Sequence, residues 1–287
     1  MSSHTGTPPA QSELTPDLAR SIVSRAEQIS GIRIDPGKLE FVRLRVGRRL
    51  AALGVNSFEG YLQVLSRDSG GEEVRHLVEA LTTHTTSFFR EQRHYEWLAE
   101  SGIDQLLAGR DRGPFVVWSA ATSIGAELWS AGMVFAERTA QGRAPMDWQL
   151  YGTDISERIL QRAATATYSE EEISGISSAR AERFLLRSRK LRDRNGSPIY
   201  RISPELRARA RFQKVNLQDL KGLAPFQADI AFLRNVLIYF DAEGRDRVVS
   251  NVASRLRPGG VLFTGHAEAL GPHPALETVR PTIYRKL

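Results

Sequence analysis

Phe115-Val116-Val117-Trp118-Ser119-Ala120 runs without a charge, then gives way to Ala121-Thr122-Ser123-Ile124-Gly125 and a helical pattern over residues 127–139. A short apolar run after Gly113-Pro114, ending in a glycine-bearing loop, predicts a strand buried on both faces. The pattern recurs downstream. Trp148-Gln149-Leu150-Tyr151-Gly152-Thr153 predicts a second strand ending at Asp154, and Ile159, Leu160 and Ala163 mark the next helix. Ala228-Asp229-Ile230-Ala231-Phe232-Leu233 predicts another strand, then a helix over residues 242–256 closed by Arg257-Pro258-Gly259-Gly260. Val261-Leu262-Phe263-Thr264-Gly265 and residues 282–287 complete the set. Strands alternating with helices predict an α/β, Rossmann-like domain built on a doubly wound parallel sheet.

Upstream the periodicity changes. Residues 14–81 read as helical, with no convincing strand. In residues 38–53 the apolar Leu39, Val42, Val46, Leu50 and Leu53 recur every three or four positions, while Arg43, Arg45, Arg48 and Arg49 fill much of the remainder. That spacing predicts a helix with one apolar and one cationic face. Asp35-Pro36 reads as its N-cap and first-turn proline. Ser57 begins a second helix through Phe58, Tyr61, Leu62 and Leu65, and residues 74–81 form another. Residues 1–12 are polar and Pro-bearing and lack the basic and apolar regions of a signal peptide.

The 287 residues are 41% hydrophobic, enough for a sizeable core. No uncharged apolar run approaches the ~18 residues of a membrane span, so no membrane insertion is expected. Cysteine is absent, which excludes disulfides and thiolate metal sites, and the six histidines do not form a metal site by spacing. A cytoplasmic setting fits these features. The net charge of +6 is unevenly spread. Residues 180–214 carry twelve Lys/Arg and three acids, a local +9 that leaves −3 for the rest. Such a segment fits an acidic partner and equally fits a solvated arginine-rich surface. It interrupts the strand–helix alternation and contains Asn195-Gly196, a favoured hairpin turn, which predicts a small antiparallel insertion.

The loop after the first strand is where a Rossmann-like fold binds the polar part of a nucleotide. Gly125 permits close backbone approach, and the following helix offers free N–H groups. The dinucleotide fingerprint of three glycines is missing, which argues against a bound pyrophosphate. Asp154, at the end of the second strand, is placed to accept from two ribose hydroxyls, the reading its position favours, and can at the same time cap the helix that follows. Glu127 lies in a first helical turn, where the dipole favours an acid with or without a ligand. Arg234 and Asn235 stand at a strand end, the usual ligand edge of an open sheet.

Two further segments stand out: Leu81-Thr82-Thr83-His84-Thr85-Thr86-Ser87-Phe88-Phe89-Arg90-Glu91 and Phe232-Leu233-Arg234-Asn235-Val236-Leu237-Ile238-Tyr239-Phe240-Asp241. With Trp118-Ser119-Ala120-Ala121, Thr153-Asp154-Ile155 and Gly265-His266-Ala267-Glu268, they closely resemble the CheR-type chemoreceptor glutamate methyltransferases, in the same order from residue 14 to residue 287. The resemblance implies a tail over residues 1–13, an all-α domain over 14–85 and an S-adenosylmethionine-dependent methyltransferase domain over 86–287, with a β-subdomain inserted at 179–212. It implies methyl transfer from S-adenosylmethionine to glutamate side chains on receptor cytoplasmic helices, leaving S-adenosylhomocysteine. Thr86, Arg90, Gly125, Glu127, Asp154, Asn216, Leu217, Arg234 and Asn235 then match cofactor-binding positions. Arg90 and Tyr239 match positions near the reacting groups. Arg43, Arg45, Arg48, Arg49 and the basic insertion match surfaces that meet the receptor.

The chain departs from the family at Ile124, Ala126 and Leu128, where Thr, Glu and Pro are usual. His84 stands for Asn, and Ala267 for Ser. Ile124 and Ala126 motivate an alternative reading as a CheR-like regulatory module with little or no catalysis. The insertion, near residues 184–203, is longer than in members that dock on a receptor's C-terminal pentapeptide, so recognition independent of that peptide is expected. The basic insertion raises a nucleic-acid methyltransferase as a further rival, but the Asn-Pro-Pro-Tyr type motif of base-amino methylation is absent, and no nucleic-acid partner is expected.

Overall fold

A computed structural model describes residues 13–35, 37–69, 71–83, 85–108, 110, 113–144 and 147–287. The chain divides into two compact units, Met1–Thr83 and His84–Leu287. Among the described residues no helix is long and apolar enough to cross a membrane.

The first unit holds α1 (Pro16–Ser30), α2 (Leu39–Leu53), α3 (Phe58–Arg67) and α4 (Glu72–Leu81). Their apolar faces meet through Ile22, Val46, Leu50, Phe58 and Leu77, all fully buried. Thr15 Oγ1 accepts from the Leu18 N–H at 3.3 Å and Ser57 Oγ from the Gly60 N–H at 3.0 Å, capping α1 and α3. The start of α2 corrects the expected Asp35-Pro36 cap. Asp35 Oδ1 accepts from the Gly37 N–H at 2.9 Å, an Asx turn, so the helix begins at Leu39 with Lys38 before it. Pro36 lies outside the described residues.

The second unit runs α5 (Arg93–Trp97), one π-helical turn (Leu98–Gly102), α6 (Ile103–Leu107), β1 (Phe115–Ser119), α7 (Ala126–Ala140), β2 (Trp148–Asp154), α8 (Glu157–Thr165), β3 (Thr167–Tyr168), α9 (Ser178–Phe184), β4 (Leu185–Arg192), β5 (Pro198–Ile202), α10 (Pro204–Ala208), β6 (Ala210–Lys214), β7 (Ala228–Leu233), a 3-10 turn (Leu237–Tyr239), α11 (Ala242–Ser254), β8 (Leu256–Thr264), β9 (Leu276–Arg280) and β10 (Ile283–Lys286). The large sheet has the order β6-β2-β1-β7-β8-β10-β9. Its first five strands are parallel, while β10 pairs antiparallel with both neighbours. The sheet is therefore mixed rather than wholly parallel. β9 closes on β10 across Pro281-Thr282 as a tight hairpin, which needs no crossover helix. Buried Trp118, Phe232 and Phe263 from the sheet and Trp129 and Phe135 from α7 build the core, and α7 is buried at every residue from 126 to 136.

A second, three-stranded antiparallel sheet has the order β3-β5-β4. It draws in Thr167–Tyr168, ahead of residue 179, while Ala210–Lys214 joins the large sheet. Its hairpin is pinned by Asp193, whose Oδ1 accepts from the N–H groups of Asn195 and Ser197 at 2.8 and 2.9 Å, with Gly196 at φ 81°.

From β1 the chain builds outward through β2 to β6, then crosses back to lay β7 on the other side of β1. Strand order reverses between β1 and β7. Open α/β sheets bind ligands at such a reversal, beyond the carboxyl ends of the strands.

Candidate functional site

The segments that leave the carboxyl ends of β1, β2, β6 and β7 are tied to one another by buried polar groups. After β1 the backbone turns sharply, with Ser123 at φ 51° and Gly125 at φ 88°. A Cβ on Gly125 would lie 2.8 Å from Trp129 Nε1 and 3.2 Å from Ala163 Cβ, so this turn requires glycine for space as well as for angle. Asp154 holds the turn from the neighbouring strand. Its Oδ2 accepts from the Ser123 N–H at 2.9 Å and its Oδ1 from the Ser156 N–H at 3.1 Å. The helix cap after β2 is Ser156, whose Oγ accepts from Ile159 N–H; Asp154, two residues earlier, joins that cap residue to the loop.

Beyond β6, Val215 N–H donates to the Asp154 carbonyl at 3.0 Å, which sets Asn216 and buried Leu217 beside that acid. Asn216 Oδ1 accepts from Gln218 N–H at 3.0 Å.

Arg234, just past β7, is the hub. Its side chain is almost wholly buried. Nη1 donates to Glu127 Oε2 at 3.1 Å and to the Tyr95 hydroxyl at 3.2 Å, Nε donates to Glu91 Oε2 at 3.2 Å, and Nη2 donates to the Arg90 carbonyl. Four of the guanidinium's five N–H groups are thereby committed inside the protein. Glu127 is equally engaged, since its Oε1 accepts from Ser119 Oγ at 2.7 Å. Burial raises the Glu127 pKa and the charge of Arg234 opposes that rise. At Glu91 burial also works upward, but Arg234, the His266 N–H and the two histidines hold the carboxyl below its ordinary value.

The segment carrying Arg90 is strained, with Phe89 at φ 54° and Glu91 at φ 57°, and the surroundings over-determine it. Phe89 N–H donates to Ser130 Oγ at 2.9 Å, and Glu91 Oε1 accepts from His266 N–H at 3.2 Å and Asn235 Nδ2 at 3.4 Å. Arg90 itself is partly exposed, and its Nη1 donates to the Thr85 carbonyl at 3.2 Å. Thr86 lies partly buried in the same segment. Asn235, at φ 58°, donates its N–H to Glu268 Oε2 at 2.6 Å. Glu268 is buried and also accepts from Gly265 N–H at 2.9 Å and Ile238 N–H at 3.2 Å, clamping the β7 and β8 ends together. Tyr239 is partly buried in the turn that follows.

Glu91, His94 and His266 bring ligand-type atoms within 4.8 Å of one another, a grouping invisible in their sequence spacing. Glu91 already accepts three donors, and Arg234 occupies the oxygen nearest His94. The cluster is thus a filled ion-pair network. His94 Nε2 and Thr282 Oγ1 share a hydrogen bond at 2.9 Å. Burial, then Arg234, lowers the His94 pKa to about 4.

The cationic face of α2 is only partly available. Arg49 makes a two-pronged pair with Glu73 at 2.9 and 2.6 Å, reinforced by the Tyr61 hydroxyl at 2.7 Å. Arg43 pairs with Glu40 at 2.5 Å, Arg45 lies 5.2 Å from the Phe41 ring, and Arg48 is exposed. Leu44, beside them, is 52% exposed. Ser119, Glu91, Tyr95 and Glu268 carry no role in the sequence reading. Glu91, Ser119 and Glu268 were visible only as parts of quoted motifs, and nothing local marks Tyr95.

Comparison with known proteins follows the same division of the chain. The CheR methyltransferase all-alpha domain family matches residues 19–82, and the CheR methyltransferase SAM-binding domain family matches residues 84–284. A chemotaxis protein methyltransferase of Salmonella typhimurium is 34% identical over 87% of this chain and 82% of its own length. That of Escherichia coli is 32% identical over 87% and 83%, and chemotaxis protein methyltransferase 2 of Pseudomonas aeruginosa is 31% identical over 87% and 85%.

Proposed function

This chain belongs to the CheR methyltransferase family, whose cofactor is S-adenosylmethionine, and from that premise we propose that it esterifies glutamate side chains on the cytoplasmic helices of a chemoreceptor. The observation that carries the reading is the carboxylate of Asp154 gripping the Gly125 turn, with the Arg90 segment held at the same sheet edge by Arg234.

The residues present fit the cofactor. Asp154 offers an acid to the ribose hydroxyls. Gly125 leaves the backbone bare for close approach, and Asn216 with Leu217 border the adenosine side. Thr122 Oγ1 is buried beside Asp154's strand with no protein partner among the described residues, a polar group suited to a ligand. Thr86, Glu127, Arg234 and Asn235 complete the pocket wall; Glu127 and Arg234 act mainly by fixing each other, since their polar atoms are already committed. When bound, S-adenosylmethionine supplies a methyl group activated by its sulfonium.

A glutamate side chain has a pKa of about 4.3 and is already an anion at neutral pH, so no residue of this chain has to take a proton. What remains is to exclude water and align the carboxylate. Arg90, partly exposed on a strained and heavily anchored segment, is positioned to orient that anion, and we assign Tyr239, in the turn after β7, to the same step. Ala126 and Ile124 are buried, so these departures from the family turn their side chains into the core, which favours the enzyme over the regulatory module.

Arg43, Arg45 and Arg48 of α2, around exposed Leu44, suit an acidic helical substrate, whereas Arg49 serves the fold. The basic β4–β5 hairpin offers a second cationic surface, and we read recognition as independent of a C-terminal pentapeptide. The test is Arg90→Ala, assayed with labelled S-adenosylmethionine and receptor cytoplasmic fragments. Methyl transfer falls to near background while the circular-dichroism spectrum is kept. Wild-type turnover in that variant defeats the assignment.

A further inference from the structure

We propose that Tyr168 is a positioning residue for methyl transfer, tying the small antiparallel sheet to the Gly125 loop through its hydroxyl and to the Arg90 segment through its ring. The inference rests on the reading that this loop holds the cofactor and Arg90 meets the acceptor.

Tyr168 is 1% exposed and lies in β3, paired with Tyr200 of β5. Its hydroxyl donates to the Ile124 carbonyl at 2.6 Å. Burial pushes the phenol above its ordinary pKa, so it stays a donor. Ile124 is flanked by Ser123 at φ 51° and Gly125 at φ 88°, and its carbonyl stands outside any helix or strand. The Tyr168 hydroxyl fixes that peptide's orientation where the loop must present its N–H groups. Phenylalanine would fill the same space and leave a buried carbonyl without its donor.

The ring does a second job. It meets Phe88 edge-on, with centroids 4.9 Å apart and planes at 85°. Phe88 lies two residues before Arg90. Gly175, in the loop after β3, presses on the same point: a Cβ there would lie 2.4 Å from the Phe88 carbonyl oxygen. Arg180 of α9 covers the Phe89 ring at 4.3 Å and is itself fixed by Glu137 at 2.8 and 2.9 Å. The inserted element thus braces both the loop and the segment that the chemistry needs, and Tyr168 touches the two. Its tie through β5 to the basic hairpin gives a partner docked there a mechanical route to the pocket.

The experiment compares wild type, Tyr168→Phe and Tyr168→Leu by calorimetry with S-adenosylhomocysteine and by steady-state methyl transfer to a receptor fragment. Tyr168→Phe raises the Kd and the KM for S-adenosylmethionine about three- to tenfold, the worth of one hydrogen bond, with kcat nearly unchanged. Tyr168→Leu also lowers kcat, because the Phe88–Arg90 segment loses its brace. A tyrosine of merely structural importance would lower Tm and leave Kd and KM as in wild type, and that result overturns the proposal. If Tyr168→Leu does not fold, Tyr168→Phe decides alone. Wild-type protein that binds the product normally yet methylates no receptor would sink the underlying substrate reading, while the Kd comparison would still judge Tyr168.

Discussion

Arg234 shows how much one side chain organises. Its guanidinium meets Glu91 and Glu127 from segments 143 and 107 residues away, together with the Arg90 carbonyl. A buried ion pair adds little over apolar packing, but removing one partner strands the other charge. Arg234→Met leaves Glu91 and Glu127 facing each other in a dry site. The expected loss is about 3–5 kcal/mol, read by urea denaturation, with a weakened affinity for S-adenosylhomocysteine. A loss under about 1 kcal/mol would contradict the hub role. From the sequence, Arg234 was legible as a polar residue at a strand's ligand edge. That its side chain turns inward was not, because its acids come from distant segments whose meeting only the fold decides. Asp154 was legible for the opposite reason: its place at the end of β2 largely settles what it can reach. Arg49, read as part of a cationic surface, is drawn into a buried pair with Glu73, which is likewise a product of tertiary packing.

Among the elements, the loop between β1 and α7 carries the most constraint for its length. Two left-handed residues, a bond to Asp154 and a bond from Tyr168 fix it before any ligand arrives. Gly125→Ala places a methyl group 2.8 Å from Trp129 Nε1 at φ 88°, an angle costing about 1–2 kcal/mol for an L-residue. Such a variant loses at least tenfold in affinity for S-adenosylhomocysteine by calorimetry; wild-type affinity would show that the loop's shape is not what binds. Strands β1, β2 and β7 were legible because each is an apolar run whose ends are marked by turn residues. β9 was not: Leu276-Glu277-Thr278-Val279-Arg280, set between prolines, has no apolar run and no clean period of two, and it lies at the sheet edge. The helical run Arg93–Leu107 also went unassigned, and a π-helical turn in its middle breaks the regular period.

At the scale of the whole molecule, charge and chemistry are separated. Residues 180–214 hold a net +9 while the remainder sums to −3, and α2 adds a second, smaller cationic face. The site is built from tight turns, backbone-anchored carboxylates and the ion pairs of one arginine. Recognition by charge can then vary with salt while the pocket stays fixed. A carboxylate is already an anion at neutral pH and asks no general base of the protein. The most direct test is to incubate the protein with receptor cytoplasmic fragments and labelled S-adenosylmethionine, then expose the product to mild base. The account predicts label on glutamate that is released as methanol. Label that survives base on nitrogen, or none on any acidic side chain, would contradict it.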